Sequence, residues 1–227
     1  MALAAAKRAR LIPENPCDEV QRPKTKRRWW RILEPVEVSR VSKAFTDERA
    51  RTIFLVLMLT AVRNGELRAL RWADVDLVDG VLRVRDSKTE SGIRSIALTA
   101  TLAEALTQHL GRSAYQDDAD YVFAHPERGT PLNADWFAGQ LWAAHKAAGV
   151  TDYVRPFHDL RHSSLTNEAA AGSNPIALMT KAGHSSMATT KLYLHLAGQV
   201  FRDEARCARA ATSRRSFYRT FYPTGST

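Results

Sequence analysis

The sequence predicts an α+β domain that is mainly α-helical and contains a small antiparallel β-sheet of about three strands. Apolar residues recur at helical spacing along most of the chain, as in Leu102, Leu106 and Leu110, and such stripes are typical of helices with one buried face. Two stretches, 81–85 and 93–98, combine strand composition with partial alternation around a polar turn, which predicts a β-hairpin.

The first half of the chain predicts helices on either side of a long apolar stretch. Glu34-Pro35 opens a helix, since proline suits the first helical turn, and Thr46 is expected to cap the next one. That second helix contains the run 53–59, which is apolar nearly all round and is therefore expected to be the central buried helix. The capping box Thr101–Glu104 begins a helix that Gly111 ends.

The second half predicts one further strand and a series of helices. Residues 121–124 form a short apolar segment that we expect to be the third strand. A helix is expected after Thr130-Pro131, ending at Gly149, and another from about His158 to Gly172. The last helices are predicted at three places: a short one after Asn174-Pro175, one from Met187 to about Leu196 with Ser186 as its cap, and an amphipathic one from Gln199 to Ala211.

Composition indicates a soluble protein with a polyanionic partner. The chain has 227 residues, 44% of them hydrophobic, and a formal net charge of +9 at pH 7, which points to nucleic acid or an anionic membrane. The cysteines, Cys17 and Cys207, lie far apart and form no metal-ligand pattern. The longest apolar run is too short to span a bilayer. We therefore expect an intracellular protein.

The two ends of the chain are basic and aromatic. Residues 1–33 are expected to form an arm or linker rather than part of the core, and residues 212–227 a C-terminal tail. Two interpretations of the first segment stay open: contact with DNA, or a solvated linker whose tryptophans pack on the domain. Its cations flank Trp29 and Trp30 and are Lys24, Lys26, Arg27 and Arg28; with Arg94 on the hairpin, these are the predicted DNA contacts.

Several polar residues stand where a buried or structured setting is expected. Arg63 directly follows the buried helix, so it must pair, for example with Glu66, or face a site. Lys88 lies near the tip of the hairpin. His158 and Arg161 are three residues apart and share a helical face. His184 and Tyr193 follow within about one helical hairpin.

Together these residues suit phosphoryl transfer. Arginine forks match phosphate oxygens, a histidine can accept or share a proton, and a lysine can donate one to a leaving alkoxide. A tyrosine can attack the phosphorus and form a covalent link. Nearby arginines are expected to lower the tyrosine pKa from about 10 and favour the phenolate. With cations supplied by the protein, no metal or other cofactor is required.

The chain resembles the catalytic domain of the tyrosine recombinases, the phage-type integrases, from about residue 34 to 211. The resemblance rests on five ordered motifs: Thr60-Ala-Val-Arg63-Asn-Gly-Glu66-Leu67, Ser87-Lys88-Thr89, His158-Asp-Leu-Arg161-His162, Gly183-His184-Ser185 and Thr190-Lys-Leu-Tyr193-Leu-His195. It implies the catalytic-domain fold of DNA breaking-rejoining enzymes and a recombinase that integrates or excises a mobile element.

The resemblance also implies a role for each residue. Arg63 and Arg161 hold the scissile phosphate, and Glu66 supports Arg63. Lys88 is the general acid for the leaving 5′ oxygen, and His158 is an acid or base near the nucleophile. The last two roles fall to His184, which hydrogen-bonds the phosphate, and to Tyr193, which attacks it to form a 3′-phosphotyrosine.

The partners that the resemblance implies are a double-stranded DNA site and three further copies of the chain. The family exchanges strands in a tetramer, so we expect a monomer in solution that assembles on DNA through its C-terminal helix. Accessory proteins that set directionality or bend the DNA are compatible with this assembly. Location is expected to be the bacterial cytoplasm, at the nucleoid. Ala61 departs from the glycine common at that position. Family members usually carry a helical core-binding domain ahead of the catalytic one, so the resemblance implies that residues 1–33 are a basic linker or the remnant of that domain, and that the chain is a fragment.

Two other functions compete with this interpretation. His158 and His162 are four apart, as in a zinc-hydrolase motif, but Arg161 would place a cation beside the metal and no third ligand is evident. We expect His162 to be a packed or hydrogen-bonded helix residue. The second alternative is a DNA-binding module that keeps the fold without the chemistry; the complete set of polar residues argues against it.

Overall fold

In a computed structural model, residues 2–20, 30–85 and 92–207 are described, with side chains up to residue 198. The predicted DNA contacts Lys24, Lys26, Arg27 and Arg28, the hairpin lysine Lys88 and the C-terminal tail lie outside the described residues.

The described chain is mainly helical, as predicted. Its helices, in order, are α1 (Ala2–Arg8), α2 (Pro35–Ala44), α3 (Glu48–Thr60), α4 (Asn64–Ala69), a 3-10 turn (Trp72–Asp74), α5 (Ala100–Arg112), α6 (Ala134–Ala147), α7 (His158–Ala170), α8 (Pro175–Ala182) and α9 (Met187–Cys207). None of the helices in these ranges is long and apolar enough to cross a membrane.

Helix α3 is the centre of the core. Every residue from Ile53 to Thr60 is buried, and α2, α5, α6 and α7 all pack against this helix. The prediction of a central buried helix is therefore confirmed. A second, smaller apolar cluster lies where α7, α8 and α9 meet, and it contains Leu165, Leu178 and Tyr193.

The sheet has three antiparallel strands in the order β1 (Val75–Asp76), β2 (Val81–Val84) and β3 (Arg94–Ala97). The predicted hairpin is β2 and β3, with Leu82 opposite Ile96 and Val84 opposite Arg94. The third strand was placed wrongly at 121–124: Tyr121 and Ala124 form only isolated bridges. The two-residue strand β1 was missed because it is too short to show alternation.

Three predicted helix starts move by one to three residues. The caps are Asp47 rather than Thr46, Thr99 rather than Thr101, and Asn133 rather than Thr130. Each of these side chains accepts a hydrogen bond from a backbone N–H of the first turn, for example Asp47 from Ala50 at 2.8 Å. Because neighbouring residues cap helices equally well, the sequence alone does not show which of them is the N-cap.

The C-terminal part contains one helix where two were predicted. Helix α9 runs unbroken from Met187 to Cys207 through Gly198, because a single glycine weakens a helix without ending it. Ser186 does accept a hydrogen bond from the Ala188 N–H at 3.2 Å, as its predicted capping role requires. The unbroken helix fixes Tyr193 in its second turn, beside α7.

Candidate active site

The polar residues singled out by the sequence meet where three chain segments converge. Arg63 ends the connection between α3 and α4, Arg161 lies on α7, and His184 and Tyr193 lie at and beyond the turn between α8 and α9. Ala61 turns the chain out of α3 with a left-handed backbone, φ 54°. Glycine adopts this conformation more readily, which accounts physically for the glycine that the motif commonly has there.

Glu66 is the carboxylate at the centre of the arginines. Its Oε1 lies 2.8 Å from Nη1 of Arg63, and its Oε2 accepts the Arg63 backbone N–H at 2.8 Å. Arg94 donates to both carboxylate oxygens, at 3.1 and 2.9 Å. Burial alone would raise the pKa of Glu66, but these hydrogen bonds and charges lower it to about 2. Glu66 therefore stays ionised and supports Arg63, as the resemblance implied.

Arg94 is a correction to the predicted DNA contacts. Its side chain is only 2% exposed, and besides Glu66 it donates to the carbonyls of Gly92 at 2.7 Å and Lys181 at 2.6 Å. Strand alternation places it on the same inward face as Ile96. A guanidinium that is buried and bonded in this way cannot reach a DNA backbone, so Arg94 instead joins the hairpin to α8 and the site.

Arg161 is buried, with an exposed fraction of 8%. It donates to the carbonyls of Ala61 and Ala182, and Arg63 donates to the carbonyl of Gly183 at 2.8 Å. Burial lowers the pKa of Arg161 to about 10, with a further contribution from the charge of Arg63. The residue remains a cation at neutral pH and fixes the turn that carries His184.

Gly183 lets Arg94 and Arg63 approach the turn that carries His184 closely. Its φ is +61°, and a Cβ here would lie 3.1 Å from Nη1 of Arg94 and 3.3 Å from Nη1 of Arg63. We call Arg63, Glu66, Arg94 and Arg161 the arginine cluster. Three cations against one carboxylate leave a positive excess, and the five N–H groups of each guanidinium exceed the contacts just described. The cluster can therefore bind an anion.

A cleft of about 500 Å³ opens beside the cluster and is lined by Arg63, Phe157, His158 and Arg161 among others. His158 begins α7 and is exposed at this cleft. Its ring meets that of His162 edge-on, with centroids 4.8 Å apart. A group at this position can exchange protons with a molecule bound in the cleft.

His184 lies between the arginines and the tyrosine. Its Nδ1 is 3.1 Å from the buried Thr190 hydroxyl, and its Nε2 is 3.5 Å from Nη2 of Arg161. Burial, followed by the charges of Arg161, Arg63 and Arg94, lowers its pKa to about 4. The imidazole is thus neutral at physiological pH and is oriented by a residue of the helix that carries Tyr193.

Tyr193 is buried, with an exposed fraction of 3%. Burial raises its pKa above 10, and the opposing charges of Arg161 and Arg63 do not compensate. The expectation of a lowered pKa was therefore wrong, because it took account of the cations and not of desolvation. The ring lies parallel to that of His184, with centroids 5.6 Å apart and planes inclined by 13°.

Sequence reasoning missed the partners of the tyrosine hydroxyl. The Tyr193 oxygen lies 2.7 Å from Nδ1 of His162, and the His162 ring stacks on Trp30 with centroids 3.7 Å apart. His162 is a hydrogen-bonded helix residue, as predicted, but its partner was not foreseen. The available signal was its position four residues after His158, on the same helical face. For Trp30, packing on the domain is the interpretation that holds. We call Trp30, His162, Tyr193 and His184 the aromatic cluster.

The structure thus brings together five of the six predicted catalytic residues: Arg63, His158, Arg161, His184 and Tyr193. Lys88 is not among the residues described. Within those residues no group of three His, Cys, Asp or Glu side chains has the arrangement of a metal site. The spacing of His158 and His162 suggested a zinc site, but Nδ1 of His162 is hydrogen-bonded to the Tyr193 oxygen.

Comparison with known proteins identifies similar chains. A sequence model described as the phage integrase family matches residues 31–199. The ICEBs1 integrase of Bacillus subtilis (strain 168) is 27% identical in an alignment 212 positions long, which covers 82% of this chain and 56% of that protein. A tyrosine recombinase of Thermosipho africanus (strain TCF52B) is 28% identical in an alignment 192 positions long, which covers 83% of this chain and 65% of that protein. The chain therefore spans between half and two thirds of the length of these relatives.

The fold is also similar to that of a solved protein. The crystal structure of the XerA recombinase superimposes with a TM-score of 0.68 at 28% sequence identity, over 84% of this chain and 68% of that one. The superposition confirms the predicted fold class.

Proposed function

This chain belongs to the phage integrase family, and from that premise we propose that it is the catalytic part of a site-specific DNA recombinase. It cleaves and rejoins DNA through a covalent 3′-phosphotyrosine at Tyr193, and so integrates or excises a mobile element. The observation that carries the proposal is the placement of one buried tyrosine beside an excess of buried arginine charge and a neutral histidine.

The arginine cluster supplies the phosphate site. Nonbridging oxygens of a DNA phosphate bind the donors of Arg63 and Arg161 at the floor of the cleft. Charge on these oxygens grows during phosphoryl transfer, so fixed cations lower the barrier. A well-placed donor of this kind contributes roughly 10²–10³ in rate.

The chemical step exchanges one phosphodiester for another. The Tyr193 oxygen forms a bond to phosphorus while the bond from phosphorus to the 5′ oxygen breaks, and the 3′ side of the DNA stays attached to the protein. The tyrosine proton leaves towards His158 or solvent, and Lys88 protonates the departing 5′ oxygen. Because one ester replaces another, the link can be reversed by a 5′ hydroxyl of the partner strand without an energy source.

The assembly belongs to the proposal as well. The substrate is a double-stranded recombination site, and four copies of the chain act on two such sites in the bacterial cytoplasm, at the nucleoid. The cations of the N-terminal segment, Lys24, Lys26, Arg27 and Arg28, add sequence-independent phosphate contacts. Helix α9 provides contacts between protomers, and directionality or bending factors act on this assembly.

Covalent capture tests the proposal without knowledge of the target site. The chain is incubated with a pool of nicked duplexes of randomised sequence. After cleavage, the short fragment that carries the free 5′ hydroxyl diffuses away, so the covalent intermediate cannot be reversed. We expect a protein–DNA complex that survives detergent and disappears after proteinase treatment. Tyr193→Phe should abolish it, and Tyr153→Phe, which changes an exposed tyrosine, should not.

The opposite pattern would reject the proposal. If the wild-type chain retains DNA on a filter but yields no detergent-resistant complex from any duplex, the chain is a binding module of the same fold. If the complex survives in Tyr193→Phe, another residue is the nucleophile.

A further inference from the structure

We propose that His162 is a further catalytic residue: its Nδ1–H group donates a hydrogen bond to the Tyr193 oxygen and stabilises the phenolate that develops during attack. Trp30 is the positioning residue that fixes the His162 ring. This inference rests on the proposed cleavage function. It gives a role in that reaction to His162, to which the resemblance assigned none.

The contact itself is short and enclosed. The Tyr193 oxygen and Nδ1 of His162 are 2.7 Å apart, and the two residues are 3% and 6% exposed. His158, in contrast, lies exposed at the mouth of the cleft and meets His162 edge-on. Among the described residues, His162 is therefore the histidine in direct contact with the attacking atom.

The other ring nitrogen indicates which way the hydrogen bond runs. Nε2 of His162 is buried and has no hydrogen-bond partner. A proton on Nε2 would be a buried donor without an acceptor, which is costly. With the proton on Nδ1, Nε2 is instead a buried lone pair without a donor, which native structures tolerate more readily than an unpaired N–H. The tyrosine oxygen is then the acceptor, and its own proton is free to leave.

A donor at this place favours the transition state over the ground state. A hydrogen bond between neutral groups is modest, but it strengthens when the acceptor becomes an anion. Burial raises the pKa of Tyr193, so the phenolate needs such support. Burial, followed by the nearby His158, lowers the pKa of His162 to about 3; the ring therefore stays neutral and is a poor proton acceptor.

Trp30 determines where the imidazole lies. The two rings are nearly parallel, with an angle of 10° and centroids 3.7 Å apart. The segment after Trp30 is bonded to the helix of His162: the Leu33 N–H donates to Ser163 at 2.9 Å, and Asn167 donates to the Leu33 carbonyl at 3.0 Å. Trp30 is thus held over His162 by bonds that do not involve Tyr193.

Nuclear magnetic resonance tests the hydrogen bond independently of catalysis. In the whole chain labelled with ¹⁵N-histidine, the His162 signals are assigned by their loss in His162→Asn. We expect a protonated Nδ1, an unprotonated Nε2 and a clear shift of the Nδ1 signal in Tyr193→Phe. A protonated Nε2, or no response to Tyr193→Phe, would overturn the proposal.

Single-turnover rates of covalent complex formation test the contribution to catalysis. His162→Leu should slow the step by about 10²-fold with little change in DNA retention. His162→Asn, whose amide can place a donor near the Nδ1 position, should recover at least tenfold of this loss. A wild-type rate in His162→Leu, or equal rates in the two variants, would show that His162 only packs.

The role of Trp30 is tested by coupling. Trp30→Ala should slow the wild-type chain about tenfold, and it should add nothing in a His162→Leu background, because it acts through the imidazole. The matched control is Trp142→Ala, which alters a half-exposed tryptophan on α6 and should leave the rate unchanged. Independent, multiplicative effects of Trp30→Ala and His162→Leu would overturn the positioning role.

These results separate the inference from the function on which it rests. A wild-type chain that forms no covalent complex overturns both. A complex that depends on Tyr193 but forms at the wild-type rate in His162→Leu leaves the recombinase function standing and overturns only the inference.

Discussion

The two halves of the site are held together by opposite kinds of interaction. In the arginine cluster, the buried Arg94 and the partly exposed Arg63 share the carboxylate of Glu66, and backbone carbonyls accept hydrogen bonds from Arg63 and from the buried Arg161. In the aromatic cluster, neutral rings are fixed by stacking and by two uncharged hydrogen bonds. Tyr193 therefore meets its nearest polar partner, His162, without a formal charge on either.

This difference suggests a division of labour. In the proposed reaction, the charges that bind phosphate exist before DNA arrives, whereas the charge of the nucleophile has to be created on Tyr193, whose pKa is raised by burial. In the same proposal, the DNA phosphate binds the donors of the arginines, which brings the electrophilic phosphorus to the tyrosine. In this proposal the arginine cluster binds the phosphate, and the aromatic cluster holds the nucleophile in its neutral form until the phosphate is bound. Four predictions test this contrast.

The largest effect is expected from removing a cation of the arginine cluster. Arg161→Ala should lower the rate of covalent complex formation by about 10³-fold, while DNA retention falls by less than about tenfold, because many other phosphate contacts persist. Rates and filter binding are measured on the same preparations. Arg112→Ala, at an exposed arginine, is the control. An equal loss of cleavage and binding would mean that Arg161 only holds DNA.

The second effect is on stability. Glu66→Ala leaves Arg94 buried without its carboxylate, and such a change should reduce the free energy of unfolding by about 3–5 kcal/mol. Urea unfolding measures it, with Glu104→Ala on the exposed face of α5 expected to change it by less than about 0.5 kcal/mol. Similar losses in both variants would contradict the central place of Glu66.

A third prediction concerns the turn that joins the two clusters. Gly183 and Gly172 both have positive φ, +61° and +89°, but an added Cβ meets the arginines only at Gly183. Gly172→Ala should therefore cost stability alone, about 1–2 kcal/mol. Gly183→Ala should also slow cleavage at least tenfold, because it displaces Arg63 and His184. Equal cleavage rates in the two folded variants would argue against close packing at this turn.

The smallest effect is a pH dependence of stability. Burial lowers the pKa of His162 to about 3 and that of His184 to about 4 in the folded chain, against about 6.5 when unfolded. The unfolded state then binds more protons, so stability is complete above about pH 6.5 and falls as the pH drops towards the folded values.

Unfolding free energies between pH 4 and 8 check this sign and its source. Near pH 5, about one proton should be taken up on unfolding for each of the two histidines. His162→Asn should remove one of them. A slope that stays the same in His162→Asn would place the acid sensitivity elsewhere in the chain.

The sequence predicts the framework well and the contacts poorly. Helix α3, the hairpin and the grouping of Arg63, Arg161, His184 and Tyr193 follow from apolar periodicity and from ordered motifs. Arg94 was predicted to contact DNA, although alternation with Ile96 assigns it to the inner face of the strand. For Arg94, strand alternation therefore predicts burial better than the charge of the residue does.

Other features depend on geometry that the sequence does not carry. The distance between Tyr193 and His162, and the stack of His162 on Trp30, join residues that are far apart along the chain. The direction of the Tyr193 pKa shift depends on whether desolvation exceeds the effect of the cations, and only a packed structure decides that balance. The role of Lys88, outside the described residues, stays a prediction.

The most direct test of this account is to locate the covalent bond. The complex trapped on nicked DNA is digested with protease and nuclease, and tandem mass spectrometry finds the peptide that carries a nucleotide remnant. We predict that the modification lies on Tyr193 and is linked through the 3′ phosphate. A remnant on another tyrosine, or linkage through a 5′ phosphate, would contradict the assignment of Tyr193 as the residue that attacks DNA.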